Sequence, residues 1–158
     1  MKPLLTLAAL AFALVMPARA AEEAHAPAGK ETYASGLGEI MSLQQMRHLK
    51  LWLAGAAKNW PLADYELDEL KEGFDDVIKF FPVKDDVPIG QMAGSPAVPV
   101  LPEVKSAIEA RDGAKFAAAF DKLTAACNTC HQATNHPFIV IQRPASSPYT
   151  NQSFAPKK

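Results

Sequence analysis

The only two cysteines of this chain stand in the run Cys127-Asn128-Thr129-Cys130-His131, which reads C-x-x-C-H. Two thiols at that spacing, followed directly by an imidazole, match covalent haem attachment. Each thiol adds across a vinyl group of the porphyrin, and the histidine binds iron. On a helix, positions 127, 130 and 131 lie three and four apart, so both sulfurs and the imidazole project from one face. The expected cofactor is therefore one haem c, held by Cys127 and Cys130, with His131 as proximal iron ligand.

Three other chemistries use a cysteine pair. Structural zinc wants four ligands, usually two such pairs or a pair with two spaced histidines. Here there is one pair, and His131 and His136 crowd against it. A thioredoxin-like redox pair sits in a βαβ context, and no such alternation of elements is present. A plain disulfide leaves His131 without a role.

Residues 1–21 read as a secretory signal peptide: Lys2 supplies the positive start, residues 4–16 an apolar core, and Ala18-Arg19-Ala20 a small-x-small cleavage site. The apolar run is shorter than the roughly 20 residues a membrane span needs. Export to the periplasm, with no membrane span in the mature protein, is the expectation. Cleavage removes Lys2 and Arg19 from 16 basic residues, leaving 14 against 17 acidic ones. A net negative balance argues against nucleic acid as a partner. Residues 22–34 read as a loose N-terminus, with His25 solvated there.

The elements that would position the motif are helical. From 35 to 58 an apolar stripe of Leu37, Ile40, Met41, Gln44, His48, Leu51, Trp52 and Gly55 falls on one face. A second stripe of Met46, Leu49 and Leu53 implies either a place deep in a bundle or a homodimer contact. His48, on the main stripe, is the first candidate for the iron's distal side, and Met41 the alternative. Without haem, His48 would read as a hydrogen-bonded core histidine. Met46 points roughly 160° away from His48 on an ideal helix.

Pro61 opens a second helix that runs to about 81, with Leu67, Leu70, Phe74, Val77, Ile78 and Phe81 as its core face. Asp64, Asp68, Glu69, Glu72, Asp75 and Asp76 populate the rest, as a solvated face or a dock for a basic redox partner. Residues 82–99 read as a long connection, with Met92 a remote ligand candidate. A third, shorter helix begins near Pro102. Asp112 then caps a fourth, in which Phe116, Phe120 and Leu123 lead into Cys127 and are expected to pack beside the haem, as core, or both. The helix stops at Asn135-His136-Pro137. Phe138 and Ile139 are expected to plug an end of the haem pocket, with the rest of the tail on the surface and Arg143 offered to a propionate.

Four helical segments with C-x-x-C-H on the last resemble the class II cytochromes c, the cytochrome c-prime type of four-helix bundle, over residues 35–132. That resemblance implies an all-α bundle, His131 as proximal ligand, and a distal side faced by the first helix. In that family the distal position holds a methionine in some members and an apolar residue in others. The chain differs in carrying 27 residues after His131 and no basic residue within 132–134. Residues 44–52 and 136–139 are similar to a group of small exported monohaem proteins.

The expected function is electron transfer by an exported monohaem protein with redox partner proteins, not an enzyme. With His48 as second ligand the potential would be low. The alternative is five-coordinate iron that binds or senses nitric oxide or carbon monoxide. A peroxidase would want a distal arginine, and Arg47 lies about 100° around the helix from His48.

Overall fold

The computed structural model describes residues 35–157. The signal-peptide reading, the N-terminal arm and His25 lie outside the described residues. The described chain is all-helical: α1 (Leu37–Ala56), α2 (Trp60–Phe80), α3 (Ile89–Gly94), α4 (Leu101–Glu109) and α5 (Gly113–Ala133), with a 3-10 turn at Val98–Val100. Among the described residues there is no β-strand, only an isolated bridge between Lys84 and Val87. No helix among them is long and apolar enough to cross a membrane. α1, α2, α4 and α5 form the four-helix bundle, each packing on the next, and α5 returns to α1.

Helix boundaries follow local chemistry. The Gly36 N–H donates to the Glu39 carboxylate at 3.1 Å, satisfying one of the orphan donors at the start of α1. Lys58, in the left-handed region at φ 59°, closes its far end as Lys58 N–H bonds Gly55 O and Asn59 N–H bonds Ala54 O. Pro61 sits in the first turn of α2, where its missing N–H costs nothing. Asp112 caps α5, its Oδ1 accepting from the N–H groups of Ala114 and Lys115 at 3.0 Å each.

The connection between α2 and α4 is more ordered than its composition implies. Asp85 and Asp86 both take positive φ, 50° and 63°, between Lys84 and Val87, which bond each other in both directions. Two consecutive left-handed residues make a tight turn of the kind that aspartate tolerates. α3 then packs under α2. A Cβ on Gly90 would meet Pro82 Cα at 3.1 Å and Ile78 O at 3.2 Å, so a side chain there would push the two backbones slightly apart. Ile78, expected in the core, is 40% exposed. It stands one position off the stripe of Leu67, Leu70, Phe74 and Val77, and covers Gly94 of α3.

Two non-local locks set the helix registers. Between α1 and α2, Gln44 Nε2 donates to Leu70 O at 2.8 Å, Arg47 bonds Gln44 and Glu69, and Lys50 faces the buried Glu66 at 4.0 Å. Burial pushes the Glu66 carboxyl above its usual range, with Lys50 opposing. Between α1 and α5, Gly55 takes the face of Phe116, where any Cβ would fall 2.1 Å from the ring. The second stripe of α1 is only half-buried, with Leu53 packed against the core.

The tail packs on the bundle and sends one side chain into its core. Phe154 belongs to the buried core, with Tyr149 packed on it. Lys50 stands over the Tyr149 ring at 5.3 Å, and Asn59 Nδ2 donates to Ala155 O at 3.4 Å. Burying one aromatic near the end of a proline-rich segment anchors the whole segment.

Candidate functional site

Cys127, Cys130 and His131 occupy the last two turns of α5, an uninterrupted helix, so the three side chains share one side of it as their spacing requires. Both cysteines are free thiols, half-buried. Burial pushes the Cys127 thiol up to about 12, and the Cys130 thiol also upward. Thiolate chemistry needs the opposite shift, so this is a poor setting for a disulfide-exchange pair. A thioether sulfur, being neutral, carries no such penalty. Among the described residues no three of His, Cys, Asp and Glu converge as a metal-ion set. Tetrahedral zinc needs that convergence.

The imidazole of His131 is held by the backbone of the tail. Its Nδ1 lies 2.9 Å from the carbonyl oxygen of Ile139. A carbonyl only accepts, so Nδ1 carries the proton, and in the neutral ring Nε2 presents a lone pair. Metal-bound histidines almost always direct their other nitrogen in this way. The bond depends on how α5 ends. Asn135, at φ 63°, turns the chain back, with His136 N–H on His131 O at 2.8 Å. Thr134 Oγ1 donates to Cys130 O at 2.9 Å. The reversed chain then runs down α5, where Asn128 bonds both the N–H and the C=O of Ile141, at 2.7 and 2.8 Å. Nothing in the motif's pattern marks Asn128, which falls at a spacer position.

No protein-family model, no curated protein and no solved structure matches this chain.

The distal candidates separate by their level along the bundle. His48 is 3% exposed, its ring tilted against Phe120 with centroids 4.3 Å apart, and its Nε2 lies 2.9 Å from Thr124 Oγ1. That hydroxyl donates to Phe120 O at 2.9 Å, so it accepts from His48, and the ring is the Nε2–H tautomer. The nitrogen best placed for a ligand is thus engaged within the core. α1 and α5 are antiparallel: Trp52 meets Phe120, Gly55 meets Phe116, and His48 meets Thr124. Carried about two turns further along both helices, roughly 10 Å, the same register brings Met41 level with His131. Met41 is partly buried against the core. Met92 is half-buried on α3.

Phe116, Phe120 and Leu123 do not act as one patch. All three are buried, but Phe116 contacts Gly55 and Trp60 at the far end of the bundle. It stands about 16 Å down the helix axis from Cys127. Phe120 packs on His48 and Trp52. Leu123 lies one turn below Cys127. Arg143 lies 4.4 Å over the Trp52 ring and is paired with Asp121 through Nε and Nη2, well down α5 from His131.

The end of the bundle that carries His131 is unusually apolar on its outside. The antiparallel registers bring the start of α1, the end of α2 and the end of α5 together there. Leu43, Ile78, Phe80 and Val83 are exposed, and so are Phe138 (76%), Ile139 (41%) and Val140 (70%). Apart from Tyr65, these are all the exposed large hydrophobics among the described residues. The Phe138 ring is tilted against His136 with centroids 5.6 Å apart, and His136 Nδ1 donates to Thr134 O.

His48 also gives the fold a pH signature. Burial pushes its imidazole down from 6.5 to about 4. Unfolded chains therefore bind a proton that the native state refuses between those values. Stability is complete above 6.5, falls as the pH drops towards 4, and changes little more from this group below that. The full loss is on the order of 3 kcal/mol. Chemical denaturation at pH 7.5 and 4.5 measures it, and His48→Gln, which retains an N–H donor, flattens the difference.

Proposed function

We propose that this chain is an exported monohaem c-type cytochrome of the class II kind that carries electrons between partner proteins. The observation that carries the reading is the His131 Nδ1–H bond to Ile139 O, made inside a C-x-x-C-H run by the histidine that the motif designates as iron ligand. Cys127 and Cys130 hold the haem as thioethers, and His131 Nε2 takes the proximal position. Haem supplies a one-electron ferric–ferrous couple. The chain's part is to hold that couple rigidly and partly dry. Leu123 and Ala126 pack beneath the attachment turn, and the apolar side chains at this end shield the edge.

In this reading Met41 is the second protein ligand and His48 is a structural lock between α1 and α5. The register argument supports Met41, and His48 already has a partner in Thr124. A thioether ligand raises the potential relative to bis-histidine ligation. Two protein ligands in both oxidation states also leave little to reorganise when an electron moves. The exposed acids of α2, among them Asp68, Glu72 and Asp76, would steer a basic partner.

Absorption spectra of the haem-loaded exported protein test this reading. We expect sharp low-spin bands in the reduced state that carbon monoxide leaves unchanged. High-spin bands that shift with carbon monoxide would replace electron transfer with the gas-binding alternative.

A further inference from the structure

Asn128 is a spacer in the motif, yet its amide does what a neighbouring strand would do. Nδ2 donates to Ile141 O at 2.8 Å, and Ile141 N–H donates to Oδ1 at 2.7 Å. The two backbone partners cannot exchange roles, so the amide has one orientation. Two residues earlier on the same segment, Ile139 offers its carbonyl to His131 Nδ1 at 2.9 Å. Asn128 and His131 are one helical turn apart, and Ile141 and Ile139 are successive same-side positions of the segment alongside. The side chains of Phe138 and Val140 are exposed and supply no comparable anchor.

We infer that Asn128 is a positioning residue for the proximal histidine: by clamping residue 141 it holds the Ile139 carbonyl on His131 Nδ1 and so tunes the electron-donating strength of Nε2. The inference rests on the cytochrome reading for its redox consequence, and on the hydrogen bonds alone for its structural one. A firm Nδ1–H···O bond makes the imidazole a stronger donor, which favours ferric iron. Releasing the carbonyl to water weakens that donation and favours ferrous iron.

The test compares wild type with Asn128→Ala and with Ile141→Pro, which leaves Asn128 intact but removes the N–H it accepts from. In the haem-loaded protein both variants should shift the ferrous:ferric ratio at fixed poise towards ferrous, by about threefold to tenfold, the upper figure being 59 mV for one electron. In the same samples, hydrogen exchange at the Ile139 and Val140 amides should accelerate. Nitrogen NMR of His131, recorded on protein without haem, should show the Nδ1–H tautomer in wild type and a tautomer mixture in both variants. Accelerated exchange with an unmoved potential and an unmoved tautomer would reduce Asn128 to tail packing and overturn the inference. Should the wild type take up no haem, the cytochrome reading fails, and the tautomer comparison still decides the clamp.

Discussion

Cys127→Ser combined with Cys130→Ser should yield protein from which all haem is removed by acid–acetone extraction, whereas the wild-type haem stays with the protein. A hydroxyl does not add across a vinyl group under the conditions that join a thiol, so the double variant retains at most the iron–imidazole bond. His131, its Ile139 partner and the helix itself are untouched by the change. Single variants should keep one thioether and resist extraction. The burial of both sulfurs predicts little effect on the helix, since serine at these positions loses an apolar contact but gains the option of back-bonding to a carbonyl one turn earlier. Thr129 of the same helix and Thr134 at its C-cap already do this, at 3.0 and 2.9 Å.

Exchanging the two distal candidates gives the second large effect. Met41→Ala should convert the low-spin spectrum to a high-spin one, open the iron to carbon monoxide, and lower the potential by removing the thioether. His48→Ala should leave the spectrum low-spin and instead lower stability by about 2–4 kcal/mol, because it removes a buried ring and its bond to Thr124. The opposite pattern, with His48→Ala abolishing the low-spin bands, would mean that the His48–Thr124 bond breaks when haem is present.

Much of this arrangement could be read from the chain, and the limits have physical causes. α1, α2 and α5 announce themselves because each buries one face at a period of 3.6 residues, and Asp112 marks the start of α5 with a local hydrogen bond. The Cys127–His131 run is contiguous, and its place on one side of α5 could be read from its spacing. α3 and the turn at Asp85 and Asp86 were not, since a six-residue helix has too few positions to display a period. The levels of the distal candidates were hidden for a different reason. Both Met41 and His48 lie on one stripe, and which of them meets His131 depends on the antiparallel register of α1 and α5. That register is set by Gly55 against Phe116 and His48 against Thr124, pairs far apart in sequence. The partners of the tail, Asn128 with Ile141 and Arg143 with Asp121, are likewise visible only once the chain has turned back at Asn135.

Covalent attachment is most directly read by the intact mass of the exported protein under denaturing conditions, with a thiol titration on the same sample. The expected result is the mass of the processed chain plus one haem, with no titratable thiol remaining. The mass of the processed chain alone, with both thiols titratable or joined to each other, would contradict the account at its root.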